Sequence, residues 1–296
     1  MAFTASDVKT LRERTGCGMM DCKKALTDAN GDMDKAIEIL REKGLATAAK
    51  KAGRIASEGI VKVYMSDDKK VSVLLEVNSE TDFVAKNNEF QDFVTEVAKV
   101  VADANPADVD ALKATKLGDV TVDEALTALI AKIGENMNIR RFARFEGNVC
   151  CYSHGAGRIG VIVKAEDALG DEAYEAARDV AMQIAAINPL YLSKDVVPEA
   201  DVEHEKRIIL AQIKEDPKNA NKPENILEKM VGGKINKFFE QNCLLQQEFV
   251  KDGDLKVEQY LTSKGVKLVD YVRFEKGEGL EKKEENFADE IAKMVQ

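Results

Sequence analysis

Histidine is nearly absent: in 296 residues there are two, His154 and His204, and the pattern puts them on different elements. The sequence has no H-E-x-x-H, no G-x-S-x-G elbow and no Walker loop, so motifs supply no acid–base pair, nucleophilic triad or phosphate cradle. Five cysteines, an odd number in a long chain, fit no disulfide framework, and adjacent Cys150 and Cys151 would face opposite sides of a strand. They read as reduced thiols. Cys17 and Cys22 lack the further ligands of a zinc site, so neither metal nor cofactor is expected. Basic residues are outnumbered, 43 Lys and Arg against 53 Asp and Glu, for a formal charge of -10. A phosphate-backbone binder needs clustered cations, so direct nucleic-acid binding is disfavoured and a protein partner favoured. No apolar run approaches membrane-spanning length, and "MAFTASDVKTLRERTG" turns charged too early for a secretory leader. The expectation is a cytosolic, non-enzymatic binding protein with no membrane association.

What remains is ordinary globular composition, 45% apolar and 32% charged, in a chain long enough for about two domains. The first 46 residues carry three helical stripes: Val8 and Leu11; Cys22, Ala25 and Leu26; then Met33, Ala36, Ile37 and Leu40. Gly16, Gly31 and Gly44 read as their stops, with Asp32 near one start. Met19 and Met20 open the second helix, where either burial of both or exposure of one is compatible with the pattern. "ATAAKKAGRIAS" reads as an exposed linker, which puts a boundary near residue 55.

Beyond it lies an internal repeat. With a constant offset of 88, Glu58/Glu146, Gly59/Gly147, Val61/Val149, Tyr64/Tyr152, Val71/Ile159, Val73/Val161 and Leu75/Val163 fall in register. Each copy reads as a β-hairpin followed by a helix that ends at Asn-Pro, and two such βα units should pack side by side as an α+β core. The first copy has five extra residues between strand and helix, in "VNSETDFVAKNNEF", residues 77 to 90. Phe83 sits there and the second copy, "AEDALGD", has no aromatic, which leaves two readings open: a plug against its own core, or a side chain grafted on a scaffold for a partner.

A helix with Val122, Ala125, Leu126, Leu129, Ile130 and Ile133 in stripe, stopped by Gly134, precedes the strand "NIRRFARFEG". Two helical patterns joined by "DPKNANKP" read as a projecting hairpin, in which Gly232 and Gly233 mark a kink or a close backbone approach. One further strand, "GVKLVDYVRFEKGEG", precedes a terminal amphipathic helix with Phe287, Ile291 and Met294 or Val295 in stripe. "GAGRIG", residues 155 to 160, matches a dinucleotide fingerprint literally, but its glycines sit in a hairpin turn followed by a strand instead of a helix.

Five motifs in this order, "TGCGMMDCKKAL", "VNSETDFVAKN", "GENMNIRR", "SHGAGRIGVIV" and "NKFFEQNCLL", resemble the bacterial elongation factor Ts family over essentially the whole chain. The resemblance implies an α+β protein: a UBA-like three-helix domain (1–55), a core of two related antiparallel-sheet βα subdomains (56–145; 146–195 with 242–278), a helical-hairpin dimerisation domain (196–241) and a C-terminal helix module (279–296). It implies binding to elongation factor Tu, acceleration of GDP release, and a homodimer or 2:2 complex. By the same resemblance Thr81, Asp82, Phe83 and Val84 form the motif whose Phe inserts into the partner's G domain and disturbs its Mg2+ site. Met19, Met20 and Lys23 would touch that domain as well, Ile133 and Gly134 would add contacts, and His154 would face the partner's remaining domains. Competing readings are a ubiquitin- or peptide-binding adaptor built on residues 1–46, and an enzyme using the glycine turn with His154. The stretch from Pro217 to Pro223 departs from the family pattern and bears on the hairpin's length.

Overall fold

The computed structural model describes residues 3–15, 17–219 and 222–282. Helices α1 (Ala5–Thr15), α2 (Met19–Asp28) and α3 (Met33–Lys51) bury the expected stripe, Val8, Leu11, Cys22, Ala25, Leu26, Ala36 and Leu40, with Met33 and Ile37 at its edge. Asp32 caps α3 by accepting the backbone N–H groups of Asp34 and Lys35, and Gly31 turns the chain at φ 86°.

Two three-stranded antiparallel sheets follow. The first pairs β1 (Glu58–Met65) with β2 (Val71–Ser79), and β2 with β5 (Met137–Glu146). Between β2 and β5 run α4 (Asp82–Ala85), α5 (Asn88–Ala104), α6 (Val109–Ala114), the short pair β3 (Lys116–Leu117) and β4 (Val120–Thr121), and α7 (Val122–Ile133). The second sheet joins β6 (Asn148–His154), β7 (Ile159–Ala165) and, much later, β10 (Leu268–Glu275) in the order β10-β7-β6. Helix α8 (Asp171–Ile187) covers it.

The repeat is visible atom by atom. Val73 and Leu75 pack under α5 and α7, and their partners at offset 88, Val161 and Val163, pack under α8. Val61 and Val149 enter the same layer between the sheets. The backbone punctuation repeats too: Gly59 and Gly147 have φ 119° and 109°, Lys69 and Gly157 have φ 57° and 88°, and Asn105 and Asn188 cap α5 and α8 in the left-handed region.

The copies do not lie side by side as expected. They stack face to face through Val61, Leu74, Val149, Ile162 and Phe274, which makes four layers, helix, sheet, sheet, helix. The strand sequence explains the difference: "VSVLLEV" in β2 is a near-continuous apolar run because both of its faces are covered. The glycines of "GAGRIG" serve this stacking. A Cβ on Gly160 would stand 2.8 Å from both Leu74 Cδ2 and Val61 Cγ1, and one on Gly157 would stand 2.3 Å from Ile60 Cγ1.

Two expectations about glycine stops and approaches fail. Gly44 does not end α3, which continues to Lys51, so residues 46–51 are helix and not linker. Gly44 is buried against Thr127 and Ala131 of α7, and that tertiary contact outweighs the roughly 1 kcal/mol propensity cost of an internal glycine. The hairpin of α9 (Glu199–Glu215) and α10 (Glu224–Asn242) has its own small core of Ile209, Ile213, Leu227 and Ile235. In it α10 runs unbroken through Gly232 and Gly233, where an added Cβ meets nothing within 4 Å, so no close approach accounts for them.

After the hairpin come β8 (Glu248–Phe249), β9 (Asp252–Lys256) and α11 (Val257–Ser263), none of which the sequence pattern marks. The segment after β10 straps the two sheets together. Buried Glu76 of β2 accepts from Arg140 Nη1 (3.0 Å), Arg141 Nε (2.6 Å) and the backbone N–H of Gly277 (2.8 Å). The expected terminal helix with Phe287, Ile291, Met294 and Val295 lies outside the described residues.

Candidate protein-docking site

The five extra residues of the first copy lengthen β2 and insert the single turn α4 ahead of α5. Thr81 is its N-cap, in extended conformation, and its hydroxyl accepts from the Val84 backbone N–H at 3.4 Å. Asp82 stands in the first turn, where the helix dipole favours a carboxylate, and it pairs with Lys86 one turn on at 2.6 Å. The Lys86 ammonium holds the exposed Asp82 carboxyl below the usual carboxylate range. Asn87 then caps α5 by accepting from Glu89 N–H at 2.8 Å.

This turn aims two apolar side chains in opposite directions. Val84 is 6% exposed and belongs to the core under α5 and α7, whereas Phe83 is 81% exposed. The plug is therefore Val84. Within the T-D-F-V motif Phe83 is exposed, Asp82 is exposed and paired with Lys86, Thr81 caps the turn, and Val84 has its side chain in the interior.

Ile133 and Gly134 are brought to the same corner. Ile133 ends α7, half-buried on the core, and Gly134 caps it at φ 88°. The next residue, Glu135, bonds Thr81, and Lys51 from the last turn of α3 donates to the Gly134 carbonyl. Met19 and Met20 are 55% and 74% exposed at the start of α2, with Lys23 exposed one turn later. Both methionines are thus outside the helical core, which departs from both expectations, burial of the two or exposure of one. They sit on a helix that packs on α1 and α3, and α3 is the link to the Phe83 corner. His154 is elsewhere, exposed at the end of β6, with Nδ1 3.0 Å from the Tyr152 hydroxyl. The glycine turn beside it is occupied with packing on β1 through Gly157, whose carbonyl accepts from Val61 N–H at 2.8 Å.

Glu80, Glu135 and Asn136 are not marked by any motif or period, because the bonds they make join positions 54 and 56 residues apart. The buried thiols are held protonated: burial pushes Cys150 up to about 12 and Cys243 up to about 11. Among the described residues no group of three or more His, Cys, Asp and Glu is placed to hold a metal ion, and no helix is long and apolar enough to cross a membrane.

The geometry defines a class of protein: a duplicated four-layer scaffold that presents one aromatic side chain to solvent on an inserted turn. The family model for Elongation factor TS matches residues 80–278. Elongation factor Ts of Clostridium perfringens strain SM101 is 56% identical over 303 residues, covering 99% of each chain. That of Clostridium kluyveri is 53% identical over 307 residues, again 99% of each, and that of Clostridium novyi 51% over 305, covering 99% of this chain and 98% of the relative. The chain belongs to the elongation factor Ts family.

Proposed function

We propose that this chain is the guanine nucleotide exchange factor of translation elongation: it binds elongation factor Tu carrying GDP, inserts Phe83 into the partner's G domain, disturbs the Mg2+ site there and so releases GDP. It acts in the cytoplasm, by binding and not by covalent chemistry. The observation that carries this reading is Phe83 itself, 81% exposed beside a buried neighbour on a turn that only one copy of the repeat possesses. A large apolar side chain held out in water on a fixed turn has its burial free energy still to gain, and a partner can supply that burial.

The magnitude sets a division of labour. Burying one Phe is worth about 1.5 to 3 kcal/mol, roughly a 10- to 150-fold change in an equilibrium. By linkage, a factor that weakens nucleotide binding is itself expelled by nucleotide to the same degree. Met19, Met20, Lys23, Ile133, Gly134 and His154 therefore belong to the surface that provides affinity, while Phe83 with Asp82 converts part of it into distortion of the nucleotide site. The α9/α10 hairpin, with a core of its own, is the element available for a homodimer or 2:2 complex.

Stopped-flow GDP release from elongation factor Tu, with and without the chain and its Phe83→Ala variant, tests this. The intact chain accelerates release and the variant loses most of that acceleration; an intact chain without effect would refute the reading.

A further inference from the structure

The turn that carries Phe83 is held by two crossed carboxylates. Glu135 accepts from the backbone N–H of Thr81 at 3.0 Å and from its hydroxyl at 2.7 Å. Glu80, the residue before Thr81, accepts from the backbone N–H of Asn136, the residue after Glu135, at 2.6 Å. Asn136 Nδ2 in turn donates to the Arg54 carbonyl at 2.8 Å, which ties in the chain leaving α3. Two adjacent residues at the end of β2 and two at the start of β5 thus hold each other's backbone.

A helix of four residues has no stability of its own, because the first turn is the costly one to form. Its direction has to come from tertiary bonds. On the core side the anchor is Val84; at the N-cap it is Glu135, since Thr81 both starts the turn and receives that carboxylate. The two bonds fall on different carboxylate oxygens, Oε2 from the N–H and Oε1 from the hydroxyl; glutamine at 135 puts an N–H donor in place of one of them and carries no charge, so it keeps the pair only in weakened form.

We propose that Glu135 is a positioning residue for Phe83: through Thr81 it fixes the direction in which the exposed ring is presented, and it touches neither nucleotide nor the reacting site. This rests on the exchange-factor reading above. Without the clamp Phe83 keeps its exposure and its area but loses its aim, so docking persists while distortion of the nucleotide site falls.

The test compares Glu135→Ala, Glu135→Gln, Phe83→Ala and the double variant in two measurements on the full chain. In stopped-flow GDP release, Glu135→Ala lowers the maximal stimulated rate about tenfold, the size of one charge-assisted hydrogen bond, with docking to nucleotide-free elongation factor Tu unchanged within about twofold. Glu135→Gln falls between it and the intact chain. The double variant is no slower than Phe83→Ala alone; a further full tenfold loss would place the effect of Glu135 elsewhere and overturn the proposal. Amide hydrogen exchange on the isolated chain reads the clamp independently of the partner. The hydrogen-bonded amides of the turn, residues 84–87, lose protection in Glu135→Ala and partly in Glu135→Gln, and unchanged protection in both overturns the clamp whatever the chain does to GDP release. If Glu135→Ala fails to fold, Glu135→Gln carries the same comparisons. An intact chain that leaves GDP release unchanged, with the protection pattern as expected, refutes the exchange reading and not the clamp.

Discussion

Phe83 and Val84 are consecutive residues of one helical turn and lie on opposite sides of the protein surface, 81% and 6% exposed. Their truncations therefore separate function from stability. Phe83→Ala leaves the unfolding free energy, measured in urea, within about 0.5 kcal/mol of the intact chain, as expected for a surface side chain without partners in its own fold. Val84→Ala costs about 1 to 3 kcal/mol, because two methyl groups leave a packed core. GDP release inverts the order: Phe83→Ala loses most of the stimulation, whereas Val84→Ala loses it only as far as the turn loosens. Equal midpoints for the two variants would contradict the packing described here.

Glu76 makes acid stability a property of the strap. Burial pushes its carboxyl up, but the Gly277 N–H, the Arg141 guanidinium and Asn78 together outweigh that and leave it below its ordinary value in the folded protein. A carboxyl depressed on folding contributes stability that is fully present above the unfolded-state value and is lost as pH falls through the folded one. The urea midpoint of the intact chain thus declines from about pH 5 downward. In Glu76→Gln the stability at neutral pH is lower by about 3 kcal/mol, because Arg140 and Arg141 lose their anion, and the acid limb is shallower. Parallel pH profiles for the two proteins would exclude Glu76 as the group responsible.

How much of this was legible beforehand follows from the range of each interaction. The helices α5 and α8 and their Asn-Pro ends were readable because periodicity and capping are local, and the repeat doubled the signal. The two-residue strand β8, five-residue β9 and seven-residue α11 were not, since none is long enough to establish a period. Gly44 looks like a stop in sequence because a stop signal and a helix-packing contact are the same residue until α7 is in place. At the site the repeat singles out Phe83 but does not separate plug from graft: adjacent Phe and Val in a four-residue turn carry no pattern that says which one faces inward. The Thr81–Glu135 bond spans 54 residues and leaves no local trace at all.

The glycines between the sheets should be intolerant for steric reasons alone. Gly160 lies in ordinary extended strand, so Gly160→Val is acceptable to the backbone and even favoured by strand propensity. Its Cβ nevertheless arrives 2.8 Å from Leu74 Cδ2 and Val61 Cγ1 in a filled layer. Overpacking of this kind costs about 1 to 3 kcal/mol. Leu74→Ala in the same chain removes one of the clashing groups, so the double variant recovers part of the loss of Gly160→Val when both are measured by urea unfolding. Strictly additive losses would mean that the sheets do not meet at these residues.

Gly232 and Gly233 invite the opposite experiment. They lie inside the nineteen-residue helix α10, exposed, with helical backbone and no atom within 4 Å of an added Cβ. Alanine at such a site costs nothing in packing and lowers the entropy of the unfolded chain, so each Gly→Ala substitution stabilises the helix by about 0.5 to 1 kcal/mol. The hairpin has its own small core, so the gain falls on that unit: thermal unfolding of Gly232→Ala/Gly233→Ala moves up where α9 and α10 melt. GDP release from elongation factor Tu is unchanged, since the Phe83 turn sits on the other copy of the repeat. Should the midpoint rise while sedimentation registers a weaker self-association, the bare stretch at 232 and 233 is where a second copy approaches, and the glycines are kept for contact between chains at a cost to the single one.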